Sequence, residues 1–180
     1  FDFEWSNRNL FYDQYTRTRS YFDNSELAAR GLPSPEELVV LEPLRKDLPA
    51  AVFTTAYEPP VANDGEQLRA NLQKALQLLQ EAGWTFQGRK LVHAKTGEPF
   101  RFELLIDEPT WERVGLPFAR NLERLGIEMS VRSVDSAQYE NRERNFDFDM
   151  VVNVWGQSLS PGNEQRDFWS SADLSSYWNF

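Results

Sequence analysis

A short polar loop, Gly156–Arg166, concentrates the side chains in this sequence that are best suited to hold a ligand. It carries amides, hydroxyls, a carboxylate and a guanidinium, which together can hydrogen-bond peptide backbone groups and both charged ends of a peptide. Tryptophans flank the loop and offer flat apolar contact surface. The candidate ligand contacts in this stretch are Trp155, Gln157, Ser158, Asn163, Glu164 and Arg166. An ordinary surface loop, built around the turn residues Ser160-Pro161-Gly162, is the alternative interpretation.

A second candidate recognition surface lies near the start of the chain, where arginine and aromatic residues are mixed. Arg17 and Arg19 lie among Tyr15, Tyr21 and Phe22. Arginine and aromatic side chains together are common in recognition surfaces. Arg17 and Tyr21 are therefore candidate ligand contacts, although an ordered loop packed on its own rings explains the same composition.

Residues that could perform catalysis are few. Asp147 and Asp149 lie on one face of a predicted strand and could form an acid–base pair, but such carboxylates more often mark the solvated start of a strand. His93 is the only histidine and cysteine is absent, which excludes thiolate metal sites and cysteine nucleophiles. No serine stands in a G-x-S-x-G motif, and the glycines are dispersed. We expect no catalytic residue, no metal and no cofactor.

The composition narrows the classes of partner. The 180 residues carry a formal net charge of -9, which repels phosphate backbones and argues against nucleic-acid binding. No apolar run approaches the roughly 20 residues of a membrane-spanning helix. The chain is long enough to bury its own core without disulfides.

The elements that must position the polar loop follow from the periodicity of the second half of the chain. The predicted strands are Phe100–Ile106, Ile127–Val134 and Phe146–Trp155, and the predicted helices are Trp111–Leu125 and a short helix capped by Asp135. Alternating strands and helices are typical of an α/β fold with at least partly parallel strands. Ligands of such folds bind beyond the carboxyl ends of the strands. The polar loop begins directly after the third strand and is therefore predicted at that edge.

The first part of the chain, residues 1–66, is predicted to be irregular. Ser34, Pro35 and Glu37 form a capping-box pattern that starts a helix. A Pro-rich, extended connection is predicted from Pro49 to Gly65. A helix over Leu68–Ala82 and a short strand at Leu91-Val92 then lead into the α/β part.

Three motifs in order resemble family 5 extracellular solute-binding proteins of ABC importers. They are LLQEAGW (Leu78–Trp84), NLERLGIEMSVRSVDSAQY (Asn121–Tyr139) and FDFDMVVNVWGQS (Phe146–Ser158). Longer stretches resemble the Yej-type peptide-binding branch of that family, namely Asn9–Leu38, Val131–Arg142 and Gln157–Trp169. The resemblance covers nearly the whole chain.

The resemblance implies the C-terminal lobe of a periplasmic binding protein with the type II fold, an α/β lobe with a mixed sheet and flanking helices. Such a lobe closes with an N-terminal lobe, absent from this chain, around an oligopeptide for import through an inner-membrane ABC permease. The implied ligands include microcin-C-like and murein peptides. In better-known relatives an aspartate three residues after the strand's tryptophan holds the peptide ammonium. Ser158 occupies that position here, so either Glu164 takes over the role or the amino terminus is not recognised in this way, and we favour Glu164.

The domain organisation expected from the resemblance is one lobe over residues 1–172, irregular to residue 66 and α/β over 67–172. Residues 173–180 resemble the far C-terminus of the family and are expected to be a non-contiguous segment, and the chain is expected to be a fragment of a longer protein. Two other functions are open: a hydrolase using Asp147/Asp149 or Glu164, and a carbohydrate-binding module whose tryptophans stack on sugars. The first needs two carboxylates in one cleft, and the second needs coplanar exposed tryptophans.

Overall fold

The computed structural model describes residues 1–154, 156, 158 and 160–170. The α-helices are α1 (Phe3–Leu10), α2 (Pro35–Leu41), α3 (Ala51–Thr54), α4 (Gly65–Glu81), α5 (Pro109–Glu123), α6 (Ser136–Arg144) and α7 (Asn163–Trp169), with a 3₁₀ turn at Glu42–Leu44. The strands are β1 (Trp84–Gln87), β2 (Lys90–His93), β3 (Arg101–Ile106), β4 (Glu128–Ser133) and β5 (Met150–Val151). Among the described residues, no helix combines the length and apolar character required to cross a membrane.

The centre of the fold is a parallel sheet with the strand order β4-β3-β5. Strand β3 pairs with β4 along its whole length, from Arg101 opposite Glu128 to Ile106 opposite Ser133. Helix α5 connects β3 to β4, and α6 connects β4 to β5, so all three strands end at the same edge. This arrangement confirms the α/β fold class predicted from the alternation of strands and helices.

The antiparallel pairing that was expected within one mixed sheet lies in a separate hairpin of β1 and β2. Trp84, at the start of β1, stacks on Phe100 with 4.5 Å between ring centroids. Backbone hydrogen bonds from Leu91 N–H to Gly126 O and from Phe100 N–H to Leu91 O, each 2.8 Å, attach the hairpin to the start of the sheet. The sequence predicted β2 but not β1, because three of the four β1 residues are exposed and give no apolar alternation.

The core lies between the sheet and helices α4 and α5. Leu105 and Ile106 of β3 are fully buried and Leu104 is nearly so, which shows that β3 is covered on both faces. The predicted alternation of β3 is therefore incomplete, since three consecutive residues are inside. On α5, Gly115 lies so close to the sheet that an added Cβ would stand 2.9 Å from Leu104 Cδ2. The helix continues through Pro117 from its start at Pro109.

Local capping signals start the helices as the sequence predicts. Glu37 N–H donates to Ser34 Oγ (3.2 Å), and Ser34 N–H donates to Glu37 Oε2 (2.7 Å), which completes the capping box of α2. The Asp135 carboxylate accepts from Gln138 N–H at 2.9 Å and caps α6. The prediction of an extended connection from Pro49 to Gly65 is wrong for residues 51–54, which form the single turn α3.

Strand β5 is far shorter than the predicted Phe146–Trp155. Phe146 has a positive φ of 53° and its N–H bonds to Glu143 O, so it terminates α6 instead of beginning a strand. The carboxylate of Asp149 accepts from Glu103 N–H at 2.9 Å, and a side chain thus occupies a place that a β5 backbone carbonyl would take. Val154 is 84% exposed, so the expected core strand through Val154 is also wrong.

Candidate functional site

The loop beyond β5 and the loop near the start of the chain meet in space. The rings of Tyr21 and Trp169 pack edge to face, with 5.6 Å between centroids. Tyr21 also packs edge to face on Phe22, at 5.0 Å. Ser158 lines a cavity of about 210 Å³ together with Thr18 and Tyr21–Ser25. Two segments that the sequence singled out separately therefore form one pocket, which we call the aromatic pocket.

Ser158, which lines the aromatic pocket, forms a hydroxyl–carboxylate pair with Glu164. Ser158 Oγ is 2.7 Å from Glu164 Oε1 and is also within hydrogen-bond distance of the Ser160 carbonyl oxygen. A hydroxyl carries one proton, so it donates to one of these two acceptors at a time. Glu164 lies in the first turn of α7, which begins directly after the Ser160–Gly162 turn. Short sequence separation thus brings the carboxylate to the serine.

The start of the loop beyond β5 is fixed by a buried tyrosine. Tyr139 of α6 donates from its phenol to the carbonyl oxygen of Val152 at 2.8 Å. Burial, followed by the nearby charges of Glu143 and Asp107, raises the pKa of Tyr139 and keeps the phenol a donor. Asn153 donates to Glu143 Oε1 at 3.2 Å on the same side of the sheet. These contacts orient the chain where it leaves β5.

Arg17 lies beside the aromatic pocket, but its guanidinium contacts other parts of the same chain. Nη1 donates to Pro60 O at 2.9 Å and is 3.5 Å from Glu4 Oε1, and the guanidinium carbon lies 5.6 Å from the centre of the Phe3 ring. Glu4 Oε2 also accepts from Ala62 N–H at 3.1 Å. These bonds tie the loop that carries Tyr21 to α1 and to the connection before α4.

The surroundings of the Glu4–Arg17 ion pair favour the ionised form of Glu4. Burial alone would raise the pKa of Glu4, but the hydrogen bond from Ala62 N–H and the charge and hydrogen bond of Arg17 outweigh it, and the pKa is lowered. The Glu4 side chain is 16% exposed. The tie is thus a shielded ion pair that holds the pocket-forming loop in place.

Of the remaining predicted ligand contacts, two lie on α7 and two lie outside the described residues. Asn163 and Arg166 are exposed on α7, beside Glu164. Trp155 and Gln157 lie outside the described residues. Sequence reasoning missed Thr18 and the residues Phe22–Ser25 as pocket lining, and the Arg–aromatic composition around Tyr21 was the one signal that pointed to that loop.

The carboxylates proposed as a catalytic pair have structural partners instead. Asp147 accepts from Arg142 Nε at 3.0 Å, and Asp149 accepts from the Glu103 backbone. His93 packs edge to face on Trp84 at 5.4 Å. Within the part of the chain that the structure describes, no three His, Cys, Asp or Glu side chains are grouped to hold a metal ion. The hydrolase alternative therefore gains no support.

Comparison with known proteins gives consistent matches. Residues 1–176 match the family model described as bacterial extracellular solute-binding proteins, family 5 Middle. The chain is 51% identical over 171 residues to the uncharacterized protein y4wM of Sinorhizobium fredii, and 48% identical over 172 residues to the probable peptide-binding protein YejA of Agrobacterium fabrum. These alignments cover 95% and 96% of this chain but 26% and 28% of the relatives, so the chain spans less than a third of their length.

A solved structure supports the same assignment. The oligopeptide-binding protein AppA of Bacillus subtilis, in complex with a nonapeptide, matches with a TM-score of 0.52 and 27% identity. The match covers 60% of this chain and 23% of AppA. Together with the sequence relatives, it confirms the family resemblance and the fold class that were predicted from the three motifs.

Proposed function

The chain belongs to family 5 of the bacterial extracellular solute-binding proteins, and we propose that it is one lobe of a periplasmic receptor that captures oligopeptides. In this proposal the receptor delivers the peptide to an inner-membrane ABC permease for ATP-driven import and performs no catalysis itself. The observation that carries the proposal is the aromatic pocket, which Tyr21 and Ser158 line, with Trp169 packed on Tyr21 and Glu164 bonded to Ser158.

The aromatic pocket offers complementary chemistry for a peptide. Glu164 supplies a carboxylate for the terminal ammonium group, and Ser158 holds that carboxylate through its hydroxyl. The rings of Tyr21 and Trp169 offer apolar surface to a side chain of the peptide, and this contact does not depend on the charge of that side chain. Asn163 and Arg166 lie on the same helix as Glu164 and are further candidate contacts for the peptide backbone.

The position of the pocket supports this assignment. The loop that carries Ser158 follows β5, and ligands of α/β folds bind beyond the carboxyl ends of parallel strands. The name of the relative YejA, probable peptide-binding protein, and the nonapeptide bound to AppA both favour a peptide over a sugar or metal chelate. Murein peptides and microcin-C-like conjugates are the peptide classes that we propose.

A second lobe is required for tight binding under this proposal. This chain spans less than a third of the relatives' length, and the aromatic pocket is open on one side. Receptors of two lobes gain affinity when both walls close on the ligand and exclude water. We therefore expect the isolated chain to bind peptide weakly or not at all, and calorimetry showing tight binding by the isolated chain would contradict this expectation.

The test of the ammonium contact is Glu164→Gln in the full-length receptor. Isothermal titration calorimetry would compare one peptide with a free amino terminus and the same peptide N-acetylated. We expect the substitution to weaken binding of the free-amino peptide about tenfold, the scale of one lost charge-assisted bond, and to leave the acetylated peptide unchanged.

Glu112→Gln is the matched control, because it removes one exposed carboxylate at the start of α5, away from the pocket. It should leave both affinities unchanged. Equal affinities of the wild type and Glu164→Gln for the free-amino peptide would refute the role of Glu164. Absence of binding by the wild type to any peptide would refute the receptor function itself.

A further inference from the structure

A second depression, which we call the arginine groove, adjoins the loop that forms the aromatic pocket. It has a volume of about 910 Å³ and lies between this loop, α1 and the connection that precedes α4. Arg17, Arg19 and Arg30 line it together with Glu4 and Asp23. Asp23 also lines the aromatic pocket, so the two cavities are neighbours.

One segment of the chain lines both cavities. Thr18 lines the aromatic pocket, whereas Thr16, Arg17 and Arg19 line the arginine groove. Asp23 contributes to both. A ligand that occupies the aromatic pocket can therefore reach the arginine groove across residues 17–23.

The carboxylates in the arginine groove are already engaged by groups of the chain. Glu4 accepts from Ala62 N–H and pairs with Arg17, and Asp23 Oδ2 accepts from Arg19 N–H at 3.3 Å. The guanidinium of Arg19 is paired loosely with Glu58, at 3.6 Å, and both side chains are about two-thirds exposed. Salt bridges this exposed contribute little to stability, so Arg19 can exchange Glu58 for another anion at little cost.

Arg30 is the arginine of this groove that has no partner among the described residues. It is exposed, and within residues 1–154, 156, 158 and 160–170 it forms neither an ion pair nor a side-chain hydrogen bond. A guanidinium presents a planar fork of donors that matches a carboxylate in a bidentate way. In a chain with a net charge of -9, an available arginine beside a cavity favours selection of an anion.

We propose that the arginine groove binds a carboxylate of the peptide ligand through Arg30 and Arg19. This inference rests on the proposed peptide-receptor function and extends it. In this proposal the ligand lies across residues 17–23, with its ammonium group at Glu164 and its carboxylate in the arginine groove. The carboxylate is either the terminal one or that of an acidic side chain, and the two sources share the same recognition chemistry.

The test uses Arg30→Gln and Arg19→Gln in the full-length receptor with three peptides, measured by isothermal titration calorimetry. The first peptide has a free carboxyl terminus, the second is its C-terminal amide, and the third is an amide that contains one aspartate. We expect Arg30→Gln to weaken the first about tenfold and to leave the second unchanged. A parallel loss for the third peptide would assign the groove to side-chain carboxylates as well.

The control is Arg113→Gln, which removes an exposed arginine from α5, outside both cavities. It should not change the affinity of any of the three peptides. Equal losses for the acid and both amides in Arg30→Gln, or no loss for any peptide, would overturn the proposal. Failure of the wild type to bind any of the three peptides would instead remove the receptor function on which the proposal rests.

Discussion

Two regions of this molecule owe their structure to different forces. In the α/β core, Leu91 and Ile106 are fully buried, and residues distant in sequence pack around them. Residues 27–57, which we call the outer segment, have no buried residue at all, although every one of them is described. Val39 and Val40 of α2 are 75% and 68% exposed.

The outer segment is ordered by contacts between near neighbours. Ser34 and Glu37 close the capping box, and Arg45 donates from Nε to Glu42 at 2.7 Å. The guanidinium of Arg45 also lies 3.8 Å from the centre of the Phe53 ring. Helices of one chain can thus be specified either by burial or by local hydrogen bonds. Substitutions in the two regions are therefore expected to change the free energy of unfolding by different amounts.

The largest difference between the regions is expected from truncating one apolar side chain in each. Ile106→Ala removes a fully buried side chain from β3 and should lower the free energy of unfolding by about 3–4 kcal/mol, through lost burial and a residual cavity. Val39→Ala removes an exposed side chain and should change it by less than about 0.5 kcal/mol. Urea denaturation followed by tryptophan fluorescence measures both. Similar losses from the two substitutions would show that the outer segment is packed as the core is.

A pair of glycines separates the cost of conformation from the cost of packing. Gly31 in the outer segment and Gly126 before β4 have φ angles of 82° and 75°, where a side chain is strained. A Cβ on Gly31 meets nothing within 4 Å, whereas on Gly126 it stands 2.7 Å from Leu91 N. Gly31→Ala should therefore lower the free energy of unfolding by about 1 kcal/mol, and Gly126→Ala should lower it by about 2–3 kcal/mol.

Thermal and urea unfolding of the two glycine variants check this prediction. Since both substitutions add one methyl group at a positive φ, the conformational penalty is matched and the difference reports packing against the hairpin. Equal destabilisation would mean that the hairpin moves away from Gly126 at no cost. Greater destabilisation by Gly31→Ala would contradict the division into two regions.

The predictability of the fold follows the same division. Apolar periodicity predicted α4, α5, β3 and β4, and the Asp135 cap predicted α6, because both signals are carried by residues close together in sequence. The prediction of β5 was wrong, because the Asp149 side chain and not a strand backbone accepts from Glu103 N–H. A side chain that takes the place of a backbone partner leaves no periodic pattern in the sequence. The candidate site was predictable as two separate segments, but the contact between Tyr21 and Trp169 was not, because single residues carry no information about long-range pairing.

The smallest expected effect concerns two carboxylates outside the outer segment, whose pKa values are shifted in opposite directions. Glu4, which ties the N-terminal loop to Arg17, has a pKa lowered from 4.5, so its contribution to stability is present above pH 4.5 and is lost as pH falls through the folded-state pKa. Glu143 of α6, which accepts from Asn153 after β5, has a pKa raised from 4.5, chiefly by burial and then by Glu140 and Asp107. Its contribution favours folding at low pH and is lost as pH rises from 4.5 through the folded-state pKa.

The variants Glu4→Gln and Glu143→Gln test these opposite signs, since each removes one titrating group while keeping a side-chain oxygen as a hydrogen-bond acceptor. Urea midpoints would be measured for the wild type and both variants from pH 3 to pH 7. At neutral pH we expect Glu4→Gln to be less stable than the wild type and Glu143→Gln to be slightly more stable. The Glu143→Gln difference should shrink as pH falls through the raised folded-state pKa to 4.5, whereas the Glu4→Gln difference should shrink as pH falls from 4.5 through the lowered folded-state pKa. In each case the wild-type carboxyl becomes protonated and then resembles the amide. A difference that keeps its neutral-pH value at pH 3 would show that it comes from the shape of the amide and not from the charge of the carboxylate.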